Sequence, residues 1–204
     1  MAVNVTDFHR LNYDSLQRRL TELGFPFYDN GNYNLNLIGI RTRDNTSNEF
    51  NDLLVVAYRN EGVGTLNIFP ITTDPGLYYR ENPINVAGTA ILAPGHYRGL
   101  WALGKHQGKY DALVQIANCT VYRDNNRDEV LDFCPTMADD GLHGINLHKA
   151  GLDSTQVDRW SAGCQVFQKD HDFAILMALV QRAKGKWGPT FSYTLIDEEL
   201  VYGL

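Results

Sequence analysis

The sequence predicts a mainly β domain with two flanking helices. Three observations carry that prediction. Short apolar runs separated by Gly/Pro turns recur through the middle of the chain. Two stretches, residues 13–23 and 170–185, place apolar side chains at helical spacing instead. No repeat, low-complexity linker or break in composition divides the 204 residues, so one domain, 1–204, with a sizeable core is expected.

Element by element, Tyr13, Leu16, Leu20 and Leu23 form one helical face, with Asp14 or Ser15 near its start and Gly24 past its end. Asn30-Gly31 signals a turn, and Asn34 to Arg41 alternates into Ile38-Gly39-Ile40, a strand. Leu53 to Tyr58 reads as a strand buried on both faces. Glu61 to Gly64 turns it back into Thr65 to Phe69 as a hairpin. Asp74-Pro75-Gly76 and Ala93-Pro94-Gly95 mark tight turns around a strand expected over Ile84 to Leu92. His96 to Trp101 is extended, His106 to Tyr110 reads as a polar loop, and strands follow at Ala112 to Ile116 and Cys119 to Tyr122. Gly141 to His148 reads as one strand-like segment. A second helix starts at Asp170 or Asp172, buries Phe173, Leu176, Met177 and Val180, and ends at Gly185. Phe191 to Ile196 is the closing strand.

Composition narrows function. Apolar residues make up 44% and charged residues 21% of the chain, the balance of an ordinary globular protein. The formal net charge of −6, with no Lys/Arg cluster, argues against nucleic-acid partners. No apolar run suits a membrane span. The start, Met1 to Asp7, shows neither the basic nor the apolar region of a secretory signal. There are 3 cysteines, so Cys119 and Cys134 could pair and leave Cys164 free, or all could be reduced.

The chemistry centres on Trp160-Ser161-Ala162-Gly163-Cys164-Gln165 and on the upstream Leu142-His143-Gly144-Ile145-Asn146-Leu147-His148. A thiol becomes a competent nucleophile when a base or a positive field makes it a thiolate. Ser-x-Gly-Cys gives an unhindered turn whose free amides could hold an oxyanion. Strand alternation sets His148 with Asn146, Gly144 and Leu142, and turns His143 toward the apolar side with Ile145 and Leu147. His148 is therefore the expected base. A second stretch, Asp124 to Asp132, places Asp124, Asn126, Asp128 and Asp132 at the first, third, fifth and ninth positions of a calcium loop. Glu129 replaces the usual glycine and Pro135 occupies the twelfth position, so a solvated acidic turn is the alternative to a structural calcium site.

His148, twelve intervening residues and Ser161-Ala162-Gly163-Cys164 resemble the L,D-transpeptidase catalytic domain family. Gly88 to Leu92, Lys109 to Gln115 and Val121 to Asp124 resemble a branch of it met in phage and gut-bacterial sequences. The resemblance covers 70–204 as a transpeptidase-like core, with 1–69 as a helix and strands packed on it. It implies a β-sandwich-like catalytic fold and peptidoglycan stem peptides as partners. It further implies a Cys164 thioester leading to hydrolysis or acyl transfer, and no cofactor for catalysis. Carried over residue by residue, the catalytic set is Cys164, His148, Ser161 and Gly163, with His143, Asn146, Trp160 and Gln165 contacting substrate. A virion, or the host cytoplasm or periplasm after lysis or delivery, is the setting implied.

The chain departs from the family pattern at two places. Ala162 replaces a histidine, and Gln165-Val166 replaces a hydrophobic residue followed by arginine, which Arg159 or Arg123 would have to replace in space. The competing readings are a noncatalytic virion or wall-binding protein on the same fold, and a metal-dependent peptidase using His143 and His148 with Asp140 or Asp153.

Overall fold

The computed structural model describes residues 11–46, 48–152 and 154–201. Eight strands close into a barrel, and three more form a separate sheet. Helix α1, Tyr13–Glu22, is held by a capping box in which Asn12 accepts from the Ser15 amide and Ser15 accepts from the Asn12 amide. Three strands follow: β1 (Asn36–Arg41), β2 (Asp52–Asn60) and β3 (Val63–Thr72). A short helix α2, Leu77–Glu81, precedes β4 (Thr89–Leu92), β5 (Gly95–His106), β6 (Tyr110–Gln115) and β7 (Cys119–Asp124). Then come β8 (Ala138–Gly141), β9 (Leu147–Lys149), β10 (Gln165–Phe167), helix α3 (Asp170–Trp187) and β11 (Thr190–Asp197).

Around the barrel the order is β1, β11, β5, β6, β9, β10, β3, β2, closing back on β1. Two neighbouring pairs run parallel, β1 with β11 and β9 with β10. The separate sheet has the order β4, β7, β8. The outcome is thus mainly β, as expected, but with a closed barrel and a third helix.

The barrel wall is apolar on both faces in its first strands. Leu37, Leu54 and Val56 point inward to a core with Trp101, Phe167 and Leu195, and α3 adds Phe173, Leu176 and Val180 to the same cluster. Ile38, Ile40, Leu53 and Val55 face outward and are covered by Tyr13, Leu16 and Leu20 of α1. Inside the barrel Gly39 is required by close approach: a Cβ there would lie 1.8 Å from the Tyr193 hydroxyl.

Several boundaries differ from expectation. The strand expected from Ile84 covers only Thr89–Leu92, because Asn85 to Gly88 turns and leaves Ile84 76% exposed. The expected loop at His106 is a tight hairpin between β5 and β6. Gln107 (φ 49°) and Gly108 (φ 72°) form its left-handed pair. Gly141 to His148 is not one strand, since Gly144 (φ 74°) breaks it between β8 and β9. Helix α3 runs through Gly185, which meets nothing a side chain would disturb, and ends at Gly188. No helix among the described residues is long and apolar enough to cross a membrane.

Candidate active site

The turn carrying Cys164 is locked by its own polar groups. Ser161 is fully buried; its hydroxyl donates to the Cys164 carbonyl (2.8 Å) and accepts from the Gly163 amide (3.1 Å). The Ser161 carbonyl in turn accepts from the Gly76 amide at 2.9 Å. Gly163 has φ 120°, and a Cβ there would stand 2.5 Å from the Ala90 carbonyl oxygen. Conformation and space both exclude a side chain. These two residues, expected in the catalytic set, hold the turn and do not line the cleft.

Strand β10 then fixes which way each residue points. It pairs in parallel with β9, Gln165 beside Leu147 and Val166 beside His148, and the Gln165 amide donates to the Asn146 carbonyl at 2.9 Å. Aligned residues in a parallel pair share a face and alternate residues change face. Leu147, Gln165 and Phe167 therefore face the barrel interior, while Asn146, His148, Cys164 and Val166 face outward. Cys164 and His148 are diagonal neighbours on that outer face and line one cleft of about 450 Å³. Gln165 is fully buried, donating to the Thr73 carbonyl and accepting from the Tyr193 hydroxyl at 2.7 Å. Its expected contact with substrate is thereby overturned.

His148 is only 3% exposed. Its Nδ1 lies 3.0 Å from the Lys149 carbonyl, an acceptor, so Nδ1 carries the proton and Nε2 keeps its lone pair. The Tyr110 hydroxyl stands 3.3 Å from the same Nδ1 and donates to the same carbonyl. No described residue bonds Nε2. Burial, with the neighbouring His106 adding, pushes the imidazole down to about 4. The Cys164 thiol donates to the Gly144 carbonyl at 3.3 Å, and burial pushes it up to about 11, opposed by the Asn146 amide.

His143 has another job. Arg123 donates to its Nδ1 (3.0 Å), so its proton is on Nε2, which donates to the Asp139 carbonyl (3.0 Å). Arg123 is itself held by Asp139 at 2.9 Å. The His143 ring lines the cleft, but both nitrogens are occupied by Arg123 of β7 and Asp139 of β8, outside the barrel core. The segment from His143 to Asn146 hangs on Gln115. Its Oε1 accepts from the His143 and Ile145 amides, its Nε2 donates to the Gly141 carbonyl, and its own amide donates to Asn146 Oδ1. Asn146 and Trp160, the latter 43% exposed, line the cleft. Arg159 also lines it, with its guanidinium 3.8 Å above the Tyr78 ring and no ion pair among the described residues.

Sequence reasoning passed over His106, Tyr110 and Gln115. His106, at the end of β5, stacks on His148 with ring centroids 3.9 Å apart and planes 19° apart. The available signal was the His106 to Tyr110 turn between two alternating runs, which is a hairpin pattern.

Neither metal expectation finds a cage. Asn126 turns its amide nitrogen to the carboxylates of Asp128 and Asp132 (2.9 Å each), a donor where a cation would need an acceptor. Asp124 accepts from the Asp132 amide. Among the described residues no group of three or more His, Cys, Asp or Glu side chains could hold a metal ion. Asp153 lies outside the described residues, and Asp140 bonds Asn118 and Thr120. All three cysteines are free, Cys119 buried in the core, so the Cys119–Cys134 pairing does not form. Comparison with protein-family models, curated proteins and solved structures returned no match.

Proposed function

We propose that the chain is a cysteine acyl-transfer enzyme of the L,D-transpeptidase kind, acting on peptidoglycan stem peptides through a Cys164 thioester. The observation that carries this reading is the β9–β10 register, which puts Cys164 and a tautomerically fixed His148 on one face of one cleft. The Cys164 sulfur attacks an amide carbonyl while its proton passes to Nε2 of His148. The imidazolium then protonates the leaving amine. Water or a second amine resolves the thioester; hydrolysis is the favoured outcome, since transfer also needs an ordered acceptor. Thiol and imidazole supply every proton and electron pair these steps use. Arg159, laid on Tyr78, supplies a cation for a substrate carboxylate in place of the missing arginine after Cys164. A lytic or remodelling role in a phage-like setting fits this chemistry.

Mass spectrometry of defined tri- and tetrapeptide muropeptides, incubated with the protein and with Cys164→Ala, tests it. Shortened products indicate hydrolysis, and dimers or exchanged termini indicate transfer; both must vanish in the variant. Unchanged substrates would favour the second reading, a noncatalytic wall-binding protein. One observation speaks for that reading: the resting thiol bonds a carbonyl rather than a base.

A further inference from the structure

The cleft contains a second imidazole that the steps above leave unused. Its tautomer can be read from the bonds around it. The Gln115 amide donates to one side-chain atom of Asn146 at 2.9 Å, so that atom is the oxygen. The other atom is the amide nitrogen, which lies 3.3 Å from Nδ1 of His106 and donates to it. Nδ1 of His106 is thus an acceptor, and the ring proton sits on Nε2. His148, stacked on it, carries its proton on Nδ1. The two rings are held in opposite tautomers by two different partners. One ring keeps a lone pair on Nε2 and the other an N–H, and both rings line the cleft.

We propose that His106 is a catalytic donor at this site, its Nε2–H holding the carbonyl oxygen of the substrate as that oxygen becomes negative. The inference rests on the acyl-transfer reading and adds to it the group that takes the developing charge. Nε2 is the ring nitrogen remote from the backbone, no described residue accepts its proton, and the ring lines the same cleft as Cys164. Of the turn's own amides, that of Gly163 is already given to Ser161. In the step itself the C–S bond forms as the carbonyl π pair moves onto oxygen. The thiol proton goes to Nε2 of His148, and the oxyanion accepts from Nε2–H of His106. Collapse restores the C=O bond, and the amine leaves with the proton from His148.

The groups packed around the pair are consistent with neutral rings. Tyr110 faces both rings from β6, Asn146 precedes β9, Cys164 precedes β10, and Lys149 is drawn to Asp170 of α3. Stacked rings with centroids 3.9 Å apart cannot both become cations without strong repulsion. Burial, with Lys109 adding, also lowers the His106 imidazole below its ordinary value.

Two substitutions separate donation from packing. His106→Phe keeps a flat ring against His148 and removes the N–H. His106→Gln places an amide N–H near the position of Nε2. Turnover of stem peptides should fall on the order of 10²–10³-fold in the Phe variant, the usual cost of one oxyanion donor. The Gln variant should recover at least tenfold of that loss, and the pH dependence of Cys164 alkylation should stay unchanged in both. Turnover in His106→Phe within threefold of wild type overturns the proposal, as does an equal loss in both variants. A stem-peptide aldehyde, which forms a hemithioacetal with a reactive cysteine, gives a readout independent of turnover. If wild-type Cys164 forms no adduct, the acyl-transfer reading fails and this proposal with it. If the adduct forms and is as tight in His106→Phe, only the role of His106 fails.

Discussion

The three cysteines should react with a neutral alkylating agent in an order that the environment of each sets. With the Cys164 thiol pushed up to about 11, about one molecule in a thousand carries the thiolate at pH 8. Cys134 lies below its ordinary value because Thr136 hydrogen-bonds its sulfur, so its thiolate fraction exceeds that of Cys164. The more basic thiolate is intrinsically more nucleophilic, but nucleophilicity rises with basicity less steeply than the thiolate fraction falls. Cys134 should therefore label faster than Cys164. Cys119, buried and pushed up to about 12, should label last. The assay is timed iodoacetamide labelling from pH 6 to 10, quenched and read by peptide mass spectrometry. The Cys164 rate should rise about tenfold per pH unit across that range. With thiol near 11 and imidazole near 4, moving the proton between them costs about 10 kcal/mol before their mutual attraction is counted. On the proposed mechanism the ion pair is accordingly not the resting species, and proton transfer accompanies attack. A pH-independent plateau of Cys164 labelling below pH 7 would reveal a standing thiolate–imidazolium pair and refute this reasoning.

Three further predictions follow from the same structure. The unfolded chain protonates His148 near ~6.5, while the native state resists to about 4. Its contribution is present above pH 6.5 and is lost as pH falls toward 4, on the order of 3 kcal/mol, so urea melts of His148→Asn should lose stability less steeply over that window. Tyr193→Phe strips the buried Gln165 carbonyl oxygen of its donor and should cost about 1–3 kcal/mol; Gly39→Ala should be far worse, and less damaging when combined with Tyr193→Phe, since the hydroxyl it strikes is then gone. Thermal scans with millimolar calcium and with chelator should superimpose, because the Asn126 amide nitrogen faces Asp128 and Asp132; a melting temperature rising with the logarithm of free calcium would show that this loop rearranges to bind it.

Local patterns were legible and long-range closure was not. The spacing of Tyr13, Leu16 and Leu20 gave α1 because a covered helical face leaves that trace in any sequence. The double-sided apolar run Leu53 to Tyr58 announced a strand with neighbours on both faces. Alternation also put His148 and Asn146 on one side, which the β9–β10 register bears out. The same period of two, applied one strand later, would have turned Gln165 inward with Phe167. Motif likeness had instead placed it toward substrate. Barrel closure depends on β1 pairing with β11, and nothing in either strand names its partner. His106 and Tyr110 were hidden for a related reason: polar residues flanking a glycine look like a loop even when they end two strands. Gly185 looked like a helix end because its tolerance inside α3 is decided by empty space around it.

The parallel pairing of β1 with β11 has a consequence for synthesis on the ribosome. β1 is flanked by β2, available early, and by β11, which emerges only after some 150 further residues have been made. Until then β1 presents an unpaired edge beside an apolar face, the kind of template that recruits stray strands. Helix α1, already translated, can cover the outer face of that nascent sheet but not its open edge. The thiol and the two stacked imidazoles also lie on segments made late or joined across distant strands. An incomplete chain therefore lacks the assembled cleft, and Cys164 is brought beside His148 only after most of the chain has emerged.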